Sequence, residues 1–377
     1  MSRPPFTAWE FFAGGGMARL GLEPAFRTTF ANDFDPVKAA AYRANFGAEH
    51  LLEADVHTLT PADLPGRADL AWASSPCQDF SLAGARAGLG GGRSSALLGF
   101  LDLMAQVREQ GRAPRLIVIE NVPGLLTACG GADYAALQAR LHDLGYSAEA
   151  HLIDAAAFLP QSRPRLFVIG RKPFPLDAGR VGMGVGGLQP RTTRGVEAQS
   201  SPARLARGSI PSPSPIKGEG SRALTLDDTL DPAAPWSPPA DTDRLLRLLN
   251  PLHHARLTAR PCTALAYRRV RTEHGRRVQR LELRTDGLAG CLRTPAGGSS
   301  RQIVLSWDGA QARSRLLTAR EGARLMGLPD SYRLPDGSTA AWRVVGDGVA
   351  VPVVRWLADQ VLLPMLTPQP RTALAGA

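Results

Sequence analysis

The sequence has little cysteine, little lysine and no long apolar run, and each scarcity excludes a class of protein. Its four cysteines, Cys77, Cys129, Cys262 and Cys291, stand too far apart for a disulfide framework or for the ligand spacing of a zinc site. No apolar run approaches the roughly 20 residues that cross a bilayer, and no signal-peptide pattern follows Met1. We therefore expect a reduced, soluble, cytoplasmic protein without a metal.

Aromatic residues are also scarce, at 6% of the 377 residues, yet 44% are hydrophobic and 21% are charged. This composition excludes a wholly disordered chain and leaves enough core for one large or two medium domains. The 44 basic residues outnumber the 34 acidic ones, which gives a net charge of +10. Nearly all of the surplus is arginine, because lysine occurs only at Lys38, Lys172 and Lys217. Genomic base composition explains arginine enrichment as well as a ligand does.

The position of the positive charge is more informative than its amount. Between residues 256 and 301 there are 11 arginines but only three acidic residues, Glu273, Glu282 and Asp286. Positive charge concentrated in one stretch indicates a polyanionic partner such as nucleic acid.

The first 170 residues alternate short apolar runs with helical patterns, which predicts βαβ units and a mostly parallel, doubly wound sheet of the α/β class. The predicted strands are residues 9–13, 28–32, 69–73, 116–119 and 166–169, and the predicted helices are residues 36–45, 97–107 and 134–144. Further along, the patterns predict a strand at 278–284 with a Gly-rich partner at 290–301, and helices at 318–326 and 353–366. In such a sheet the site is expected at the carboxyl ends of the strands.

Three glycines, Gly14 to Gly16, lie between the first strand and a short helix, where the backbone can approach a nucleotide-like ligand. Asp33 ends the second strand, where a carboxylate can accept both ribose hydroxyls, and Asp55 is placed to accept from an adenine amino group. A helix cap or a solvated turn explains either aspartate equally well.

Reactive side chains follow or precede three of the predicted strands. Cys77 follows the strand at 69–73 and precedes a Gly-rich loop, which is an unusual place for a cysteine that only packs. Glu120 directly follows the apolar strand at 116–119, and Arg163 and Arg165 precede the strand at 166–169. A thiol, a carboxyl and two guanidiniums together suit nucleophilic catalysis, although an inert thiol and a surface arginine pair need no such role.

In order, these segments resemble the motifs of the cytosine-C5 DNA methyltransferases of bacterial or phage type. The matching blocks are Phe12-Ala13-Gly14-Gly15-Gly16, Pro76-Cys77-Gln78, Glu120-Asn121-Val122, Gln161-Ser162-Arg163-Pro164-Arg165, residues 315–329 and residues 345–349. The match spans about residues 8–170 and 315–365. Three departures are specific: Glu10 stands where the family usually has Asp, Met17 where a Gly is common, and Asp347 where it usually has Asn.

The resemblance implies a Rossmann-like catalytic and cofactor-binding domain at residues 1–175 and a smaller, irregular target-recognition domain at 225–314. Residues 315–377 would return to the catalytic domain. Residues 176–224 would form an insertion, which we expect to be disordered because residues 179–221 contain no aromatic residue and are rich in Gly, Ser and Pro. The implied reaction moves a methyl group from S-adenosyl-L-methionine to carbon 5 of a cytosine flipped out of a specific duplex DNA sequence.

The resemblance also assigns roles to individual residues. Cys77 would add to carbon 6 of the cytosine, Glu120 would protonate nitrogen 3, and Arg165 would contact the base carbonyl. Arg163 would support the thiolate or a nearby phosphate. The implied cofactor-binding residues are Phe12, Ala13, Gly14, Gly16, Asp33, Phe34, Asp55, Val56, Pro76, Asp347 and Val349. The implied DNA-binding residues are Gln78, Ser81, Arg293, Thr294, Gly297, Gly298, Ser299 and Arg301, and the Gly290–Arg301 loop is the candidate for reading bases.

Three alternatives stay open. An RNA methyltransferase of the same fold would use the same cysteine and glutamate, but its characteristic Cys-Phe-Thr is absent. A nicotinamide oxidoreductase explains the glycines but not Cys77 with Glu120 and two arginines. A catalytically inactive DNA-binding regulator would have no use for an intact nucleophile.

The expected enzyme is a monomer that binds no membrane and lies near the nucleoid because it binds DNA. It is expected to make no direct contact with any cognate restriction endonuclease.

Overall fold

Two β-sheets of unequal size organise the protein. The structure is a computed structural model that describes residues 6–76, 96–173, 223–273, 275–294 and 301–367. The strands are β1 (Phe6–Phe11), β2 (Phe26–Asp33), β3 (Leu51–Glu53), β4 (Leu70–Ser74), β5 (Leu116–Asn121), β6 (Ser147–Asp154), β7 (Pro164–Arg171), β8 (Cys262–Glu273), β9 (Arg276–Arg284), β10 (Ile303–Trp307) and β11 (Ala312–Leu316).

The helices flank these sheets. They are α1 (Met17–Leu22), α2 (Pro36–Phe46), α3 (Ala96–Glu109), α4 (Ala132–Asp143), α5 (Leu226–Thr229), α6 (Pro239–Leu246), α7 (Pro251–Thr258), α8 (Ala319–Leu325), α9 (Ser338–Asp347), α10 (Val351–Leu357) and α11 (Leu363–Leu366). A π-helical turn, Ala358–Leu362, joins α10 to α11.

The large sheet has the order β3-β2-β1-β4-β5-β7-β6, in which β1 to β5 run parallel to one another. The α/β class is therefore confirmed, together with a mostly parallel sheet. Strand β7 runs antiparallel to both β5 and β6. As a result, the carboxyl ends of β1 to β5 and the amino end of β7 meet at one edge of the sheet.

The predicted strands of this sheet exist, with shifted ends. Strand β1 ends at Phe11 rather than Ala13, because Phe12 has a φ of 57° and turns the chain out of the sheet. The sequence patterns missed β3 and β6, which have no continuous apolar run. The expected pairing of β9 with the Gly-rich segment at 290–301 is wrong, since β9 pairs with β8. Strand β8 escaped prediction because its second half is mostly charged.

Two hydrophobic clusters cover the two faces of the large sheet. One contains alternate residues such as Trp9 and Phe11 with helices α3 and α4. The other, which we call the shared cluster, contains the remaining alternate residues, such as Trp72 and Phe167, together with residues of α8 to α11 and of the small sheet. Residues 319–366 thus pack on the large sheet, although the four-part division of the chain stays a prediction. The expected disordered insertion lies outside the described residues.

The small sheet, in the order β11-β10-β8-β9, is antiparallel throughout and packs on both faces. On its inner face, Leu265 and Val304 belong to the shared cluster. On its outer face, Ala264, Leu281 and Ile303 form a separate cluster with helices α6 and α7. The inner face is therefore the one that adjoins the large sheet.

One helical stretch, Ser338–Leu366, is long and apolar enough to cross a membrane by length and composition alone. From the sequence we expected no segment that passes this test. Its most apolar window is 61% buried inside the protein, where it completes the shared cluster. Packing in the core accounts for its apolar character.

Candidate active site and nucleic-acid interface

The glycine turn after β1 is held open by Asp33 at the end of β2. Gly14 adopts a φ of 57°, a left-handed conformation that suits glycine, and its N–H donates to Asp33 Oδ2 at 2.7 Å. The other carboxylate oxygen of Asp33 accepts from the backbone N–H of Asp35 at 2.8 Å. Ala13 is fixed by a bond from its N–H to the Asn32 carbonyl. Apart from the adjacent residues 13 and 15, no atom of the described residues lies within 4 Å of the position that a Cβ on Gly14 would occupy, so this part of the structure leaves space beside the turn.

Next to this turn, Phe34 presents an open aromatic surface. Its side chain is 65% exposed, although the neighbouring Asp33 is buried, and burial raises the pKa of the Asp33 carboxyl. A large exposed aromatic ring beside a buried carboxylate offers a surface on which a planar ring can stack.

Asp55 and Val56 follow β3 at the same edge. The Asp55 side chain accepts from the backbone N–H of His57 at 3.0 Å and caps a short helical turn. Asp55 is therefore a helix cap, as one of the two interpretations of the sequence predicted. The carboxylate remains exposed, and Val56 is buried. Pro76, two residues after β4, is exposed at this edge.

Asp347, at the end of α9, joins three parts of the chain. It pairs with Lys38 Nζ of α2 at 2.8 Å, and its other oxygen accepts from Thr294 Oγ1 at 2.5 Å. Val349, two residues further on, is buried. The carboxylate that stands in place of the family's amide is thus neutralised by a lysine and attached to the candidate base-reading loop.

Glu120 is buried at the end of β5 and pairs with Arg165. The Arg165 Nε lies 3.1 Å from Glu120 Oε1, and the Ser74 hydroxyl on the adjacent strand β4 also contacts the carboxyl. Burial raises the pKa of Glu120, and the two neighbouring guanidiniums of Arg165 and Arg163 only partly offset this. A raised pKa makes a carboxyl hold a proton more readily, which suits a group that gives a proton to a bound base.

Arg163 is too deeply buried for the expected contact with a phosphate, whereas its support of the Cys77 thiolate stays a prediction. The side chain is 2% exposed, and its guanidinium donates to the Leu292 carbonyl at 2.9 Å and to the Gly346 and Gly348 carbonyls at 3.0 and 2.5 Å. A buried group with three backbone partners cannot reach a DNA phosphate. The geometry makes Arg163 a positioning residue that holds the candidate base-reading loop against the turn after α9.

Asn121 positions the segment that leads to Cys77. Its amide donates to the carbonyl and hydroxyl oxygens of Ser75 at 3.3 and 3.0 Å, and its own oxygen accepts from the Val122 N–H. The end of β5 is thereby fastened to the residue two positions before Cys77. Cys77 itself lies outside the described residues, as do Gln78, Ser81, Gly297, Gly298 and Ser299.

The described residues of the candidate base-reading loop are attached to both ends of α9. Thr294 bonds to Asp347 near the helix end, and Arg301 Nη1 donates to Ser338 Oγ at its start at 2.7 Å. Arg293 is exposed. A Cβ on Gly346 would lie only 2.4 Å from the Thr294 backbone nitrogen, so glycine is required for this close approach.

Several residues that contact the site residues were not predicted from the sequence. Ser74 gave no signal, because its contact with Glu120 depends on strand pairing. Lys38 could have been found from the sequence, because it is one of three lysines in an arginine-rich chain. The unexpected carboxylate at position 347 also calls for a cationic partner, and Lys38 is that partner. Cys291 was not connected with catalysis, yet its Sγ lies 3.8 Å from Arg165 Nη1. Among the described residues, no group of His, Cys, Asp and Glu could hold a metal ion.

Comparison with known proteins identifies the family. The profile described as C-5 cytosine-specific DNA methylase matches residues 6–181 and 253–362, which is well over half of the chain. The Type II methyltransferase M.NlaX of Neisseria lactamica is 25% identical over 94% of this chain and 96% of its own length. The Type II methyltransferase M.BsuFI of Bacillus subtilis is 32% identical over 44% of this chain, a match that spans 39% of that relative.

A solved structure, the Dnmt2 methyltransferase of S. pombe, superposes with a TM-score of 0.63 at 18% identity. That match covers 96% of this chain and all of the other, and at this identity it supports the fold alone. The order of the motifs, the site at the strand ends and the family match agree. The chain therefore belongs to the C-5 cytosine-specific DNA methylase family and is a DNA cytosine-5 methyltransferase.

Proposed function

We propose that the enzyme methylates a cytosine flipped out of a specific duplex sequence, with S-adenosyl-L-methionine as the methyl donor and Cys77 as the covalent nucleophile. The observation that carries the proposal is the Glu120–Arg165 pair. A buried carboxyl with a raised pKa and a guanidinium stand side by side at the end of β5. The adjacent strand β4 leads within three residues to Cys77.

The residues around the glycine turn fit S-adenosyl-L-methionine. The described residues leave space beside Gly14, Phe34 offers an exposed ring for the adenine, and Asp33 supplies a buried carboxylate for the ribose hydroxyls. The exposed Asp55 carboxylate lies at the end of the next strand, where it suits the adenine amino group. Phe12, Ala13, Gly16, Val56, Pro76, Asp347 and Val349 complete the proposed set. When bound, the cofactor supplies an electrophilic methyl group.

The chain's own residues activate the base. The Cys77 thiolate adds to carbon 6 of the cytosine, and the electron pair of the 5,6 double bond becomes available at carbon 5. Glu120 donates its proton to nitrogen 3, so the adduct carries no net negative charge. Arg165, which touches Glu120, is placed to bind the base carbonyl at carbon 2. Once carbon 5 carries the methyl group, loss of its proton to water re-forms the double bond, expels the thiolate and returns the proton to Glu120.

The target carbon is inaccessible inside a duplex, so the base must leave the stack. The arginine-rich stretch at residues 256–301 concentrates positive charge, and some of its arginines would contact the phosphates. The loop with Arg293, Thr294 and Arg301 is the proposed base-reading element. Several relatives are named Type II methyltransferases, which supports a place in a restriction–modification system. We expect a monomer in the cytoplasm, bound to the nucleoid through DNA and not to the cognate endonuclease.

Transfer of labelled methyl from S-adenosyl-L-methionine to duplex DNA tests the proposal. Wild-type protein should label duplex DNA at cytosine carbon 5, and Cys77→Ser should abolish turnover while it leaves DNA and cofactor binding largely intact. Cys129→Ser, which removes an exposed thiol, is the matched control and should keep full activity. Labelling of RNA alone, or near wild-type activity of Cys77→Ser, would contradict the proposal.

A further inference from the structure

Strands β8 and β9 continue beyond the small sheet as a two-stranded ribbon. Strand β10 pairs with β8 only from Cys262 to Ala266, whereas β8 and β9 stay paired as far as Glu273 and Arg276. The ribbon therefore consists of residues 267–273 and 276–282 and is about 23 Å long at 3.3 Å per residue. A two-stranded ribbon of this kind is narrow enough to lie in or along the major groove of B-DNA.

The two faces of the ribbon differ in the number of their arginines and not in net charge, which is +2 on each. Directly paired residues of antiparallel strands share a face, and successive residues alternate between faces. The inner face carries Tyr267, Arg269, Arg271, Glu273, Arg276, Val278, Arg280 and Glu282. The outer face carries Arg268, Val270, Thr272, Arg277, Gln279 and Leu281. The inner face thus holds twice as many arginines as the outer one.

The two glutamates of the inner face hold arginine side chains in place and neutralise only part of their charge. Glu282 pairs with Arg271 and, at 3.6 Å, with Arg269, whose guanidinium also lies over the Tyr267 ring at 4.8 Å. Glu273 pairs with Arg280 through Nε at 2.7 Å. A guanidinium has five N–H donors, so an arginine that shares a glutamate keeps donors for a phosphate. Four arginines against two glutamates leave a net positive, pre-arranged row.

The inner face is also the face that adjoins the catalytic side of the molecule. At the base of the ribbon, Leu265 belongs to the shared cluster with Phe167 of the large sheet. Arg284 lies on the same face. The negative charge of Asp154, at the end of β6, is near enough to contribute to the raised pKa of Arg284. The base of the outer face is instead covered by helices α6 and α7.

We propose that the inner arginine face of the β8–β9 ribbon binds the phosphate backbone of duplex DNA beside the flipped cytosine. The proposal rests on the DNA-methylating function and adds to it which element and which face hold the duplex. DNA that delivers a base to Glu120 must lie on the side of the small sheet that adjoins the large one. The inner face alone combines that side with an ordered row of positive charge.

Neighbouring arginines on opposite faces provide a matched test. Arg269→Gln with Arg276→Gln removes two inner charges, and Arg268→Gln with Arg277→Gln removes two outer charges at adjacent positions. After the inner double substitution, Glu282 keeps Arg271 and Glu273 keeps Arg280, so the ribbon should still form. The probe is a DNA duplex that the wild-type protein labels in the methyl-transfer assay. Its dissociation constants are measured between about 50 and 200 mM salt, the range over which the effect of phosphate contacts on affinity is large.

We expect the inner variant to bind DNA at least about tenfold more weakly, with a salt slope reduced by about 1 per lost phosphate contact. The outer variant should stay close to wild type in both quantities. The charge-conserving Arg269→Lys with Arg276→Lys should recover most of the affinity, and thermal unfolding reports whether either variant is misfolded. Equal effects of the inner and outer pairs, or a larger effect of the outer pair, would overturn the proposal while wild-type methylation still upholds the enzyme's function.

Discussion

Glu10 is a buried acid that the reaction does not use. It lies in β1 with no exposed surface, and one carboxyl oxygen accepts from the Arg19 backbone N–H at 3.2 Å. The other oxygen has no hydrogen-bond partner within the part of the chain that the structure describes. Burial raises the pKa of Glu10 to about 8. Near neutral pH the side chain is therefore mostly protonated in the folded protein and ionised in the unfolded one.

We predict that Glu10→Gln changes how stability depends on pH. Because folding raises this pKa from 4.5 to about 8, the wild-type protein binds the proton more tightly when folded. Its stability should thus fall as pH rises from about 5 to 8. The glutamine variant lacks this loss. Relative to the wild type, its free energy of unfolding should therefore increase by up to about 1.4 kcal/mol for each pH unit in this range.

Urea unfolding at pH 5, 6.5 and 8 measures the difference, with Glu49→Gln at an exposed position as the control. A constant difference across the three pH values would contradict a raised pKa at Glu10.

At the scale of residues, the sequence predicted where side chains stand on the strands better than it predicted which groups they contact. The positions of Glu120 and Arg165 followed from the strands beside them, and the structure brings the two side chains together. The burial of Arg163 did not follow, because its partners are backbone carbonyls more than 120 residues away. Tertiary contacts of that separation leave no trace in a local pattern.

At the scale of elements, α9 joins the cofactor side to the candidate base-reading loop. Its end contacts Thr294 through Asp347 and Gly346, and its start contacts Arg301 through Ser338. Arg343 of the same helix pairs at 2.7 Å with Asp35, the cap of α2. One helix thereby sets the distance between the start of α2 and the candidate base-reading loop.

We predict that Gly346→Ala impairs DNA methylation more than Gly348→Ala does. A Cβ at 346 meets the backbone of Arg293 and Thr294 at 2.6 and 2.4 Å, whereas a Cβ at 348 meets the end of the flexible Met17 side chain. The loop backbone must shift in the first variant, whereas only the Met17 side chain must repack in the second. We expect kcat/KM to fall at least about tenfold for Gly346→Ala, because small misplacements are costly in catalysis.

Steady-state methyl transfer and DNA dissociation constants compare the two variants. Similar losses for both would show that the loop does not depend on the approach at Gly346.

The strands and helices that the sequence predicted are those with strong apolar periodicity, such as β5 and α2. Strand β7 was predicted but not its antiparallel direction, because a strand's residue pattern is the same for either direction of pairing. Strand β8 was missed because half of it leaves the core and carries arginine instead.

At the scale of the whole molecule, the two sheets share one hydrophobic cluster. Leu265 and Val304 of the small sheet are buried in the same cluster as Phe167 of the large sheet and Leu325 of α8. A continuous core couples the stability of the parts that it joins. Composition predicted enough core for either one or two domains, and only the fold shows that the core is continuous between the sheets.

We predict a single cooperative unfolding transition. Tryptophan fluorescence and amide exchange in β8 and β10 should give the same midpoint in urea. Leu265→Ala should lower the free energy of unfolding by about 2–5 kcal/mol with both probes, since it leaves a cavity in the shared cluster. Two separate transitions, or a shift seen by only one probe, would show that the sheets unfold independently.

The attachment of the candidate base-reading loop to α9 limits how the enzyme can be re-engineered. Thr294 and Arg301 anchor the loop to the helix that also carries Asp347 and the obligatory Gly346. A recognition segment grafted from a relative brings new base-reading side chains but also a new backbone path at these anchors. Exchange of DNA specificity therefore requires that the graft and α9 be transferred as one unit.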